Sequence, residues 1–194
     1  MELRRTDLET DPLRQFQKWF DDATDVVLVR EAMAVATATA DGSPSVRMVL
    51  LKAADDRGLV FFTHYASRKG RELETNPQAA LLFHWDPLGR QVRVEGRVER
   101  VSAEESDAYF ATRPAGARIG AHASRQSEVL ADRGELERRV AELAEAELTR
   151  PESWGGFRVV PEAWEFWQHR DDRLHDRFRY TRSTGAWLIE RLYP

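Results

Sequence analysis

The sequence predicts a mainly β domain with peripheral helices, its strands closing into a barrel. Two observations predict it. Short runs rich in β-branched and aromatic residues recur from Met33 to the C-terminus, bounded by turn signals. Helical patterns fall between some of these runs without alternating strictly with them, as in an antiparallel sheet with inserted helices. Closure of that sheet would remove its exposed edges. A chain of 194 residues is long enough for one domain with a sizeable core.

The elements follow in order. Asp11-Pro12 is a helix start, with Asp as cap and Pro in the first turn. Leu13, Phe16 and Phe20 then share a face. Residues 33–40, 45–52 and 59–63 read as strands, separated by Asp41-Gly42 and by the Asp55 to Gly58 turn. Ser67 to Asn76 reads as a short helix stopped before Pro77. Strands resume over 79–85 and 91–101. Ser102-Ala103-Glu104-Glu105 has the pattern of a capping box, so a helix should run to about Thr112 and end at Arg113-Pro114. Residues 132–148 read as a strongly amphipathic helix, with Leu136, Val140 and Leu143 on one stripe. Three strands follow, at 157–168, 175–182 and 187–192. No internal repeat, low-complexity tract or linker interrupts the pattern.

Composition excludes several classes of function. The chain has no cysteine, which removes disulfides, thiolate metal sites and a Cys nucleophile. Its net charge of −4 argues against general nucleic-acid binding, which needs a basic face. No apolar run approaches a membrane span, and the charged start does not read as a signal peptide, so a cytoplasmic protein is expected. The five histidines show no metal-ligand spacing, and no metal site is expected. Neither a nucleophile elbow nor a Walker A or G-x-G-x-x-G loop occurs.

Basic residues instead gather in short segments. The only lysines are Lys18, Lys52 and Lys69, in a chain that otherwise uses Arg. Arg47 and Lys52 bracket one strand, and on a regular strand they face opposite sides. Ser67-Arg68-Lys69 stands at a helix start, where backbone N–H groups and two cations suit a phosphate; an ordinary solvated helix start has the same pattern. Tyr109 and Arg113 lie one helical turn apart and can present a hydroxyl and a guanidinium to one anion, although Arg near a helix C-terminus is favoured by the dipole alone. Arg173, His175 and Arg177 alternate with Leu174, Asp176 and Phe178, which on a strand points all three the same way. Such a row needs an anion or acidic partners. The preceding aromatics, Trp164, Phe166 and Trp167, suit a planar ligand or a core.

Taken together and in this order, these segments resemble the pyridoxine/pyridoxamine 5′-phosphate oxidase family. The resemblance runs from Leu3-Arg4-Arg5-Thr6-Asp7-Leu8 to Arg191-Leu192-Tyr193-Pro194. Its most specific parts are 47–52, Ser67-Arg68-Lys69, Arg90-Gln91-Val92, Ser124-Arg125-Gln126-Ser127, Ser153-Trp154-Gly155-Gly156-Phe157 and Arg173-Leu174-His175-Asp176-Arg177. It implies an FMN-binding split β-barrel over 1–194, with an N-terminal helical segment at 1–30 and C-terminal strands at 150–194 completing the site. It also implies a homodimer with two FMN sites at the interface. FMN would be held by Arg47, Met48, Val49, Leu50, Leu51, Lys52, Phe62, Thr63, Arg68, Lys69, Gln91, Gln126, Ser127, Trp167 and Arg177. The phosphorylated B6 vitamer would meet Lys52, Tyr109, Arg113, Arg173, Leu174 and His175, with Arg173 and His175 as the catalytic pair.

The implied reaction oxidises C4′ of pyridoxamine or pyridoxine 5′-phosphate at the flavin, with dioxygen as acceptor and hydrogen peroxide as product. The sequence departs from the family pattern in places. Ala117 stands where a Ser touching the substrate phosphate is more usual, and His169-Arg170-Asp171-Asp172 replaces a common Gly-Gly turn. The chain also opens close to its first matched motif, so an upstream segment that closes over the site in some members is expected to be absent. Two alternatives stay open: an oxidase of the same fold acting on another substrate, such as a phenazine precursor, and a flavin- or pyridoxal-phosphate-binding protein without turnover.

Overall fold

The computed structural model describes residues 2–194; Met1, counted in the expected domain, lies outside the described residues. One nine-stranded sheet dominates. Helix α1 (Pro12–Asp22) opens the chain, and the side chain of Asp11 accepts a hydrogen bond from Leu13 N at its start. Strands β1 (Ala32–Ala38), β2 (Pro44–Leu50), β3 (Ala53–Asp55) and β4 (Gly58–His64) precede α2 (Arg68–Thr75). Next come β5 (Gln78–Trp85) and β6 (Arg90–Arg100), then helices α3 (Ala103–Ala111), α4 (Ala115–Ala123) and α5 (Arg133–Glu142). Strands β7 (Trp154–Gln168), β8 (Asp176–Ser183) and β9 (Ala186–Leu192) finish the sheet.

The pairing path is β2-β1-β5-β6-β7-β4-β3, with β8 and β9 branching from β7, and the pairings are antiparallel. The two ends of the path are successive pieces of one segment. At their junction Leu51 N donates to Glu31 O at 2.9 Å, and Lys52 N donates to Val60 O at 2.8 Å. The sheet therefore curls back to where it began, which is the expected split barrel. The curl turns through a bend rather than a continuous ladder, since β2 pairs with β1 and β3 with β4.

The barrel interior is aromatic and aliphatic. Helix α1 contributes Phe16, 5.0 Å from the Phe83 ring centroid, and Trp19, edge-on to Phe166 at 5.3 Å. Burying each such side chain contributes about 1.5–3 kcal/mol. Leu13 and Phe20 pack at the margin, so the buried stripe of α1 is centred on Phe16 and Trp19. Strand β7 is the longest element, flanked by β6, β4 and β8. Its pairing with β6 shifts register beside Gly96, where a Cβ would lie 2.0 Å from Val160 O, so only glycine fits. On β2 the outward row Val46, Met48 and Leu50 is exposed, an apolar stripe beside the bend.

Three sequence expectations need correction. The amphipathic helix expected over 132–148 ends at Glu142 and buries none of its residues. A helix lacking a packed face has only its own propensity to extend it, and the following hydrogen bonds are short turns such as Ala144 N to Ala141 O. Helix α4 was not anticipated, because Gly116 and Gly120 lower its propensity. Finally, Arg173 and His175 are not on a strand face with Arg177. Strand β8 begins at Asp176, Arg173 has φ 66°, and Asp172 accepts a hydrogen bond from Leu174 N at 3.0 Å. That side-chain turn competes successfully with strand pairing.

Candidate active site

Helix α2 builds one wall of a cleft of about 580 Å³. Ser67 caps α2, its hydroxyl accepting from Gly70 N at 3.3 Å. Lys69 in the first turn is buried. Its ammonium donates to Thr63 Oγ1 at 3.1 Å, Gln126 Oε1 at 3.1 Å and Ser67 Oγ at 3.3 Å. None of these acceptors is charged. Burial, reinforced by the Arg47 charge, lowers the Lys69 pKa to about 8.

One turn on, Glu72 is buried behind the cleft. It accepts hydrogen bonds from Thr37 and Ser45, from Arg68 Nε at 2.8 Å and from Arg47 Nη2 at 3.4 Å. Burial alone would raise its pKa, but these donors and the Arg47 charge outweigh it and hold the carboxyl at about 2. The guanidinium of Arg47 also donates to Val35 O at 3.1 Å and to Thr37 and Ser45. Glu72 thus fixes Arg47, while Arg68 keeps its outer nitrogens towards solvent.

The opposite wall is aromatic. Phe62 stacks on Tyr109 at 4.1 Å and on Trp154 at 5.4 Å. Arg113 lies over the Trp154 ring at 4.6 Å, a cation–π contact. Its Nη1 is buried with no hydrogen-bond partner among the described residues. Burial pushes the guanidinium below its usual pKa, and Tyr109 opposes this in part. Lys52, Lys69 and Arg113 all line the cleft, and no carboxylate lines it. A half-buried guanidinium with one buried, unpaired nitrogen, in a lining that also holds two lysines, is a site that wants an anion.

A family model described as "Pyridoxamine 5'-phosphate oxidase" matches residues 21–146, and one described as "Pyridoxine 5'-phosphate oxidase C-terminal dimerisation region" matches 154–194. The chain belongs to the pyridoxamine 5′-phosphate oxidase family. A pyridoxine/pyridoxamine 5′-phosphate oxidase of Rubrobacter xylanophilus is 56% identical over 96% of this chain and 88% of its own length. The enzyme of the same name from Cupriavidus taiwanensis is 55% identical over 99% and 93%. Among solved structures, PhzG from Burkholderia lata 383, in complex with tetrahydrophenazine-1-carboxylic acid, superposes with a TM-score of 0.94. It is 35% identical and covers 100% of this chain and 98% of its own. An FMN-binding protein from Nostoc punctiforme, related to pyridoxamine 5′-phosphate oxidase, shares the fold with a TM-score of 0.78 at 16% identity, covering 96% of this chain and 100% of its own.

The residues expected to serve the oxidase family's ligands fall into two groups. Met48, Val49, Leu50, Lys52, Phe62, Thr63, Lys69, Tyr109, Arg113 and Gln126 line the cleft. Arg47 and Arg68 lie behind it around Glu72, Leu51 points into the core, and Ser127 (φ 74°) follows Gln126 in a neighbouring hollow. Gln91, Trp167, Arg173, Leu174, His175 and Arg177 are elsewhere. Gln91 pairs with Trp167 near the far end of β7, and the His175 ring lies 4.6 Å from that of Trp167. Arg177 Nε donates to Glu165 Oε1 at 2.8 Å, and this contact raises its pKa. Trp154 and Trp167 lie at opposite ends of β7, separated along the strand by on the order of 40 Å at about 3.3 Å per residue.

Some residues of the site carry no obvious signal in the sequence. Glu72 and Glu165 belong to no expected ligand set, and only their burial among arginines gives them a role. Trp154 enters the sequence reading only within the Ser153 to Phe157 motif, without a role of its own, and His64, which also lines the cleft, matches no spacing rule. The expected departure at Ala117 does fall on the cleft lining, where it brings no hydroxyl.

Proposed function

We propose that the protein is an FMN-dependent oxidase that converts pyridoxamine 5′-phosphate and pyridoxine 5′-phosphate to pyridoxal 5′-phosphate, working as a homodimer. The observation that carries this reading is the half-buried Arg113, whose Nη1 is buried without a partner among the described residues, in a cleft lined by cations and aromatics and free of carboxylates. The donor set also suits FMN. Lys69 is a buried cation held only by neutral acceptors, so a phosphate would relieve its desolvation. Gln126 and Thr63 offer polar atoms in the cleft lining, and Arg68, the residue before Lys69 on α2, is held by Glu72 with its side chain largely exposed.

Dimerisation supplies what one chain lacks. The second group, around Trp167 and Arg177, lies at the other end of β7 from the cleft of its own chain. A twofold axis would bring one protomer's C-terminal strands to its partner's cleft, in keeping with the dimerisation model matched at 154–194. The exposed Val46, Met48 and Leu50 row gives that contact an apolar surface to bury.

Bound FMN supplies the two-electron acceptor, and dioxygen carries the electrons on to hydrogen peroxide. The chain's own residues supply position and charge. Lys52, Tyr109 and Arg113 clamp the substrate phosphate, and the Trp154–Phe62–Tyr109 stack keeps water out. Arg173 and His175 orient the substrate near its C4′ group. His175 Nδ1 accepts a hydrogen bond from Arg170 N at 3.1 Å, so the neutral ring carries its proton on Nε2. That leaves Nε2–H as the donor towards substrate.

The test is anaerobic mixing of the flavin-loaded protein with pyridoxamine 5′-phosphate, with pyridoxine 5′-phosphate in parallel. Loss of oxidised-flavin absorbance with formation of pyridoxal 5′-phosphate is expected. Failure of both compounds to bleach the flavin would refute the substrate. A second reading, oxidation of a reduced phenazine carboxylate, draws on the likeness to PhzG and on Ala117, which removes a hydroxyl from the cleft. Bleaching by such a compound and by neither vitamer would favour it.

A further inference from the structure

His64 ends β4, and its imidazole lines the cleft while only 9% of the residue is exposed. Strand alternation places it on the face of Phe62, two residues back, and opposite to Thr63. The two faces have different neighbours. Thr63 meets Lys69 and Gln126, whereas Phe62 meets Tyr109 and Trp154. His64 pairs directly across the sheet with Trp154, the ring that Arg113 covers. Cross-strand partners lie about 4.5–5.5 Å apart. The imidazole therefore shares the face of Phe62 and Trp154, within reach of the charges of both Lys69 and Arg113.

Neither ring nitrogen of His64 makes a hydrogen bond among the described residues. Burial lowers its pKa first, and the charges of Lys69 on α2, Arg113 after α3 and His122 on α4 lower it further. With no carboxylate in the lining, nothing in the cleft holds a proton on His64. A doubly charged anion would reverse that balance, offering an acceptor to the ring and neutralising the surrounding cations.

We propose that His64 is a further anion-binding residue of the cleft, one that takes up a proton when a phosphate ester enters beside Arg113. This rests on reading the cleft as a phosphate site. It makes substrate binding proton-coupled near neutral pH, by a residue distinct from the phosphate clamp of Lys52, Tyr109 and Arg113.

The test uses sulfate, a dianion that does not itself titrate between pH 6 and 8. Flavin-loaded protein is titrated with sulfate at pH 7 by calorimetry in two buffers of different ionisation enthalpy. The difference in heat gives the protons taken up. The wild type should take up on the order of half a proton or more per site. His64→Asn, and His64→Gln beside it in case one folds poorly, should take up almost none and bind sulfate several-fold more weakly. Sulfate binding with the same proton uptake in wild type and variants would overturn the role of His64, as would wild-type binding with no uptake. Absence of sulfate binding in all three would instead overturn the phosphate-site reading, and this inference with it.

Discussion

Replacing Glu72 by Gln should destabilise the protein in a way that depends on pH. The carboxylate accepts from Thr37, Ser45, Arg47 and Arg68. Gln keeps the shape but turns one acceptor into an N–H₂ donor, which then faces the Arg68 Nε–H or the hydroxyls. A pKa held at about 2 rather than 4.5 corresponds to about 3.4 kcal/mol before screening. Arg68 is largely exposed, so water and salt reduce this, and we expect about 2 kcal/mol at pH 7. The sign follows from a depressed carboxyl: the stabilisation is complete above about pH 4.5 and is lost as pH falls towards 2. Urea unfolding at fixed protein and FMN concentration should show a midpoint lower by about 1 M for Glu72→Gln at pH 7. By pH 3 the gap between the two proteins should have narrowed by more than half. Equal midpoints at pH 7, or a gap that does not change with pH, would refute the account of this network.

Other expectations concern binding and assembly. FMN affinity should fall as pH rises above about 8, by at most tenfold per unit, because a phosphate favours the charged form of Lys69. Lys69→Ala should weaken FMN binding by about 10–100-fold and abolish this slope, as read by flavin fluorescence across pH. Gly70→Ala should destabilise the protein although Ala is the better helix former by about 1 kcal/mol. A Cβ there would lie 2.0 Å from Tyr65 O, which no rotamer relieves, and a higher melting temperature for the variant would contradict this. Lys69→Ala and Arg173→Ala chains, each nearly inactive alone, should recover about a quarter of wild-type turnover when co-expressed. Random pairing makes half the dimers mixed, and each mixed dimer has one undamaged site. No recovery would mean that both residues serve the same chain's site.

Much of the fold was legible because local signals agreed with it. Asp11, Ser67 and Ser102 cap helices as their sequence contexts suggest, and Asp41-Gly42 and Asp55 to Gly58 turn the chain where expected. What misled was periodicity without tertiary support. Leu136, Val140 and Leu143 have helical spacing, yet α5 buries nothing, and alternation around His175 mimics a strand where a side-chain turn prevails. In the site, cationic and aromatic residues announced themselves by type. The carboxylates that position them did not, because Glu72 and Glu165 acquire meaning only through burial beside Arg47 and Arg177. The split into two groups lay beyond any local pattern, since it depends on the length of β7.

The bend at Leu51–Lys52 has a consequence for how this chain can vary over evolutionary time. Two successive amides there belong to different ladders, one anchored on Glu31 and the other on Val60. Adding or deleting a single residue would turn the side chains of β2 or β3 inside out, because strand facing reverses with every step. Insertions should therefore be purged from this corner and accumulate instead at open tips such as Gly42 and Gly185, where a side chain would meet nothing within 4 Å. Lys52 sits at a point of the chain whose length is not free to drift.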